Sequence, residues 1–582
     1  MDAKESVHPE NNLKHLRARQ HFLVNQRAQK RAYFSKQRLH TTNEPSKHAP
    51  CNGMVHLLRP NSILFDDDVV RKLVTESCGV FQNLQQIKKE AKEKGQDPLP
   101  EILKISRRYR CIVRACVADL QEVAMDEKTS EEQREMCQNN SAIFYSIEVI
   151  FHLCEILCID VGPGRILLPK LLDWMSFHYP INRQVESVYE ARQQSPDTPT
   201  ELHPEFWTTV KELIMRGRCP QAREMLGFHS QLRTSPVLIS MRKLLHAMPY
   251  LEEEGGTSAI VDFTVRWTAW QKEVRTQLEL GTFSHNRELQ DIAELLAGND
   301  RALQLIYQHS ETWYQYLVTY LLFWDPTVQV FQLGDQALKC KRMFNATDDR
   351  ALDRLLLALF ESDILQVIKD LQEFAESGWS AVHLTDMLYH AGRLSTLGSH
   401  DHNVSDGLRE DLILQYAGLL MTHHSLWNMG LTYFDHCPLQ GRAHISLILP
   451  TLAYGSDTRI LKVIHEAKKR NLRKVVLEIC SVRGKQALRV GRLGSALTWA
   501  IRAKDVALCS TVADEILRAY STTGGFSLTD VLDNMGTAML VSERLSFVGK
   551  YRQFHLNLQA QRLKEASRIL MDLATSGFAP PL

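Results

Sequence analysis

The fifteen residues from Gly491 to Asp505 restrict the fold more than any other part of this chain, because they gather small and apolar side chains at helical spacing. Leu493, Ala496, Leu497, Ala500 and Ile501 fall on one stripe of a helix, and alanines in such a stripe let a second helix approach closely. A related beginning, an Arg followed four residues later by Ala, recurs at Arg218 to Ala222 and at Arg562 to Ala566. Units of this kind cannot bury a face alone, so they stack into a solenoid. The expected fold class is all-α: an α-solenoid of stacked helical hairpins.

Length agrees. A chain of 582 residues exceeds the size at which one compact core stops growing, so it is several domains or an elongated stack. Its 69 basic and 68 acidic residues leave a net charge of +1, which gives no global attraction to nucleic acid or to a membrane. Twelve cysteines form no close framework, no apolar run approaches the roughly 18 residues that span a bilayer, and the start lacks a signal-peptide core. The reading is a reduced, soluble protein that is not transmembrane and recognises partners by shape.

Charge is uneven at residues 11 to 40, which hold eight cations and no acid, with Phe22, Tyr33 and Phe34 interleaved. Residues 1–53 read as a basic tail. Nucleic-acid contact through phosphates and stacking, or an organelle transit sequence, are the other readings. Met54 to Arg59 and Ser62 to Phe65 are short apolar runs with strand character, so 54–65 is a candidate β element. Val55 and Leu57 would lie on one face of such a strand and Leu58 on the other. Ile63 and Leu64 belong to the second run.

From Asp66 the apolar period is helical throughout. Leu73, Phe81, Leu84 and Ile87 share one face; Ile143, Ile147, Ile150, Phe151, Cys154 and Leu157 share another. Gly162-Pro163-Gly164 reads as a helix break. Residues 181–205, 252–258 and 395–407 read as solvated loops. Near the end, 461–467, 472–480, 487–501 and 506–520 form four amphipathic segments, their short connections forcing antiparallel neighbours, and Gly524-Gly525 closes the set. The domain reading is a helical scaffold over 66–582, with a trunk and crown over 66–180 and 206–454 and a tail module from 455.

No catalytic or metal constellation emerges. Cys154 and Cys158 sit at i and i+4 on an apolar stripe and read as packing. His423-His424 reads as a helix terminus. Gly162 to Arg165 lacks the Gly-Lys-Ser/Thr ending of a phosphate loop, and Gly491 to Ser495 lacks the pattern of a nucleophile elbow. The aromatic run Trp313 to Trp324 reads as a core stripe through 313, 316, 317, 320 and 324, stopped by Pro326. No cofactor, no small-molecule substrate and no enzymatic activity are expected.

The blocks Glu76 to Ile87, Leu153 to Leu157, Leu171 to Trp174, Trp313 to Thr327, Glu361 to Asp370, Arg492 to Asp505 and Ser542 to His555 resemble the eighty-five-kilodalton nucleoporin family, an outer-ring subunit of the nuclear pore. The resemblance implies a scaffold of the ancestral coatomer type folded back in a U, within the Y-shaped complex of the pore at the nuclear envelope. It further implies two partners. Strands ahead of the helices complete a Seh-type WD-repeat β-propeller, here through Val55, Leu57, Leu58, Ile63 and Leu64, and C-terminal helices meet other Y-complex nucleoporins at the hub. Two departures bear on these. The first fifty residues are basic where the family has a β-rich blade, and the chain stops at Leu582 where family members continue. Propeller binding is therefore expected to be weakened or lost. A vesicle-coat scaffold and a nucleic-acid binder using the basic arm are the rival readings.

Overall fold

A computed structural model describes residues 63–577, apart from 96, 161–165, 196–197, 251–255, 345–349, 376, 395–401, 453–454 and 526–528. The tail at 1–53, the strand at Met54 to Arg59 and the break at Gly162 to Gly164 lie outside the described residues. Among those described, every regular element is helical.

The first half comprises α1 (Asp68–Lys94), α2 (Leu99–Met125), α3 (Glu131–Cys154), α4 (Leu168–His178), α5 (Asn182–Gln194), α6 (Phe206–Met215), α7 (Cys219–Leu226), α8 (Pro236–Ala247), α9 (Gly256–Glu279), α10 (Arg287–Ala297), α11 (Asp300–His309), α12 (Trp313–Trp324) and α13 (Val330–Met343). Then follow α14 (Ala351–Phe360), α15 (Ile364–Phe374), α16 (Trp379–His390), α17 (His402–Thr422), α18 (Trp427–Phe434), α19 (Gly441–Ile448), α20 (Asp457–Lys469), α21 (Arg473–Arg489), α22 (Leu493–Ala503), α23 (Val506–Thr523), α24 (Thr529–Asp533), α25 (Glu543–Gln559) and α26 (Leu563–Thr575). They form two compact units, one ending at Gly430 and the other running from Leu431.

One connector explains the recurrent hairpins. Gly217, Ser362, Asn471, Gly491, Lys504 and Gln561 all take positive φ, between 54° and 76°. After each, the next N–H reaches back five residues: Arg218 to the Leu213 carbonyl at 2.8 Å, Arg492 to Ala487 at 2.9 Å, Arg562 to Asn557 at 2.9 Å. This is the left-handed helix stop in which a 6→1 bond satisfies a carbonyl of the last turn. The same residue then starts the next helix, its carbonyl accepting from Ala222, Ala496 or Ala566. Each of those alanines is buried, which is why the Arg-to-Ala spacing recurs in the sequence.

In the first unit the chain doubles back, since α1 packs on both α2 and α16, and α3 on α2, α4 and α14. Trp379 Nε1 donates to Ser77 Oγ at 3.0 Å across 302 residues of sequence. α3 and the π turn Glu155–Ile159 that extends it are apolar on nearly all sides. Glu131–Ile159 is in fact long and apolar enough to cross a membrane, contrary to the sequence reading, but 83% of its most apolar window is buried by the helices around it. A helix hydrophobic all round is then a core helix. The aromatic helix α12 is likewise enclosed: Trp313 through Phe323 are all buried, so the expected single stripe is a whole helix surface, with only Trp324 partly exposed.

In the second unit α21, α22 and α23 pack in succession, α21 also touching α23. Their crossing is close because Gly484 faces it: a Cβ there would lie 2.7 Å from Leu508 Cδ2 and 3.5 Å from the Ala496 carbonyl oxygen. Ala496, Leu497 and Ala500 are fully buried in the shared core, with Leu493 and Ile501 at its margin.

Several local expectations change. Residues 181–205 are not a loop: α5 occupies most of the stretch, and because only Val188 on it is buried, it has no apolar period to read. The loops read at 252–258 and 395–407 give way to helix from Gly256 and from His402. The segment read as 487–501 is two helices divided at Gly491. Ile63 and Leu64 open a 3-10 turn, Ile63–Asp66, where a strand was expected. The reason is local: the Arg71 guanidinium donates to the Phe65 and Asp66 carbonyls at 2.9 and 2.7 Å while pairing with the Asp68 carboxylate, and the Asp67 carboxylate caps α1 through the Val69 N–H at 2.8 Å.

Candidate functional site

Of the five side chains expected to meet a propeller, Val55, Leu57 and Leu58 lie outside the described residues, and Ile63 and Leu64 sit on the 3-10 turn. The sites that the structure does build are polar networks inside the first unit and a cationic surface on the second.

Buried thiols come first. Ten of the eleven described cysteines are buried, and all are free. Burial pushes Cys116, Cys219 and Cys340 up to about 12, so they are protonated and unreactive. Cys154 and Cys158 pack as expected and also share a hydrogen bond, which raises Cys154 and lowers Cys158. His423 caps the end of α17, its Nδ1 accepting from the Ser425 N–H at 3.3 Å.

Glu148, His152 and His178 bring three metal-type donors together between α3 and α4. Glu148 Oε2 stands 3.0 Å from His178 Nδ1, and His178 Nε2 stands 3.0 Å from His152 Nδ1. The other Glu148 oxygen accepts from Arg110 Nε at 3.0 Å, and Arg110 continues to Glu155 at 3.3 Å. Burial, with Arg110, Arg114 and Arg107 nearby, holds His152 down at about 3. Contacts running from Arg110 on α2 through Glu148 on α3 to His178 on α4 make the network a strut tying the three helices.

A second strut closes the fold-back. Asp386 on α16 accepts from Arg409 on α17 at 2.5 Å and from Gln85 on α1 at 2.7 Å, with His390 at 3.3 Å. The Gln85 carbonyl oxygen accepts in turn from Arg409 at 2.9 Å. Burial opposes ionisation of Asp386, but Arg409 and His390 prevail and hold it at about 2. These residues escaped the sequence reading because their partners lie 301 residues apart.

The second unit carries a concentration of positive charge that the sequence reading also passed over. Between Thr458 and Lys504 thirteen residues are Lys or Arg and two are acidic, Glu466 and Glu478. A running charge count would have found it. Arg470 is paired with Asp435 at 2.7 Å and Arg483 with Asp457 at 3.0 Å. Lys485, Arg489 and Arg492, around the α21–α22 turn, are exposed and make no ion pair among the described residues. Beside them Leu488, Gly491, Leu493 and the α23 residues Glu515, Arg518, Ala519 and Thr522 line a groove of about 420 Å³.

The sequence profile described as Nup85 Nucleoporin matches residues 54–582. The chain belongs to the Nup85 nucleoporin family. The mouse Nuclear pore complex protein Nup85 is 35% identical over 541 residues, covering 92% of this chain and 80% of the mouse protein. The Bos taurus Nup85 is 36% identical over 532 residues, covering 90% and 79%. The Drosophila melanogaster Nuclear pore complex protein Nup75 is 31% identical over 546 residues, covering 92% and 79%. The Nup85 match starts at Met54, so it includes the candidate β element and the 3-10 turn as well as the helices.

Proposed function

We propose that this chain is a structural nucleoporin: a helical scaffold of the nuclear pore complex at the nuclear envelope, associating with other nucleoporins and supporting transport of protein and mRNA between nucleus and cytoplasm. The observation that carries the reading is the family match over 54–582, on a chain whose described residues are packed helices from end to end. A scaffold needs extended surfaces and rigid joints, and the buried struts at Glu148 and Asp386 supply the joints.

The finer placement is an outer-ring, Y-complex subunit whose tail module, from 455, meets other arms at the hub. Contact with a Seh-type propeller through Val55, Leu57, Leu58, Ile63 and Leu64 is proposed to be weak. The 3-10 turn at Ile63–Asp66 supports this, because it does not give Ile63 and Leu64 the extended backbone that strand pairing needs. Imaging of the tagged chain tests the main reading: a continuous nuclear rim is expected, and cytoplasmic puncta would favour a vesicle coat instead. Titration of purified propeller tests the finer one, with equal affinity for this chain and for mouse Nup85 counting against it.

A further inference from the structure

The exposed turn between α21 and α22 combines two features that point to one kind of ligand. The groove beside it is lined by the apolar Leu488, Leu493 and Ala519, and the exposed Lys485, Arg489 and Arg492, which flank its lining residues in sequence, make no ion pair among the described residues, the nearest acid named for them being Asp505, which attracts Lys485. Val490, at the tip of the turn, is 71% exposed. The groove's own acid, Glu515, is already engaged by Arg518 at 2.6 Å, so it does not neutralise those three cations. The surplus is therefore available to an incoming anion.

We propose that this groove receives an acidic amphipathic helix of another protein, its apolar stripe on Leu488, Leu493 and Ala519 and its flanking carboxylates against Lys485, Arg489 and Arg492. Helix-in-groove recognition places apolar anchors at i, i+3 or i+4 in a cleft between helices, and charge complementarity at the rim fixes partner and orientation. Nucleic acid fits less well. It would satisfy the cations but has no apolar face for the apolar lining, and no aromatic side chain lines the groove to stack on a base. A membrane fits less well too, because interfacial binding uses a projecting apolar face with Trp, Phe or Leu, whereas this one is concave. The proposal gives a partner chemistry to the tail-module contact proposed above, and rests on that reading only for which assembly supplies the helix.

The test is a titration of the purified full chain with a labelled twenty-residue synthetic helix carrying Leu at i, i+3 and i+4 spacing and Glu elsewhere. Polyglutamate of equal length, a DNA duplex and phosphatidylserine vesicles are titrated in parallel. The helix is expected to bind best. Its affinity should fall about tenfold or more in the charge reversal K485E/R489E/R492E, and likewise in Thr522→Trp, which fills the groove from an exposed position. Both variants change exposed residues, and unchanged melting by circular dichroism checks their folding. Equal binding of polyglutamate would remove the role of the apolar lining, and tighter binding of DNA or vesicles would replace the partner class. No binding of the helix to the wild-type chain, or unchanged binding to either variant, would overturn the proposal. None of these results depends on the pore assignment, which the rim localisation tests separately.

Discussion

Replacing Asp386 by Asn removes one charge from the joint that holds α1 against α16 and α17. The carboxylate is fully buried, and its hydrogen bonds to Arg409 and Gln85 connect segments some 300 residues apart. Its pKa falls from an ordinary 3.8 to about 2, and at about 1.4 kcal/mol per tenfold in proton affinity the site favours the ion, relative to water, by about 2 kcal/mol. Asn loses that preference and withdraws the Asp386 charge from the Arg409 guanidinium, itself 8% exposed. Breaking a buried charge pair from one side brings the total cost to about 3 to 5 kcal/mol. Amide hydrogen exchange across α1 is the suitable assay, because it reports local opening without requiring a chain of two units to unfold in one step. The α1 amides should lose protection by that amount while those of α22 and α23 keep theirs. Asp386→Leu with Arg409→Met, which deletes both charges, should recover most of the loss. Asn within about 1 kcal/mol of wild type, or a double variant as damaged as the sum of the singles, would show that the carboxylate is solvated and that α1 does not dock there.

Ala496→Trp should overpack the α21–α22 crossing and cost about 1 to 3 kcal/mol or more, because Ala496 is fully buried and Gly484 already brings the helices close; wild-type melting would mean the stripe faces solvent. His383, buried among aromatic rings with Nδ1 donating to the Trp379 carbonyl at 2.8 Å, is held down at about 4 against an ordinary 6.5. The unfolded chain therefore takes the proton first: stability is unaffected above pH 6.5 and declines as pH falls towards 4, by about 2 kcal/mol at about pH 5. His383→Asn should flatten that part of the pH–stability curve measured by denaturant titration, and an unchanged slope would contradict the burial. Ser362 and Lys504 occupy left-handed positions at hairpin turns, φ 59° and 54°. Glycine at either should relieve strain and raise the thermal midpoint, worth up to about 1 kcal/mol; a lowered midpoint would mean the side chain makes a contact that outweighs the strain.

Helices with an apolar stripe were legible because period 3.6 is written in the residues, as at Leu73, Phe81 and Leu84, all buried. So was the close crossing at Ala496. Other features were not. α5 is a polar helix with one buried residue, so no pattern marks it. Gly491 stood inside an apolar stretch and was read as helix, although its left-handed turn makes it the hinge of the hairpin. The 3-10 turn at Ile63–Asp66 depends on Arg71 reaching back six residues to the Phe65 carbonyl. Arg110, Glu148, Asp386 and Arg409 look like surface charges one at a time; only the fold-back pairs them. The groove and the cations beside it needed two scales at once, a charge count over three helices and the packing that leaves Leu488 and Leu493 lining an open groove.

The central claim, a structural subunit of the nuclear pore, is tested most directly by affinity purification of the tagged full chain from cells, with quantitative mass spectrometry of what accompanies it. The account predicts other nucleoporins of the outer ring at near-equal molar amounts, with a Seh-type propeller below that level. Recovery of the chain with vesicle-coat subunits, or with nucleic acid and no nucleoporin, would contradict it.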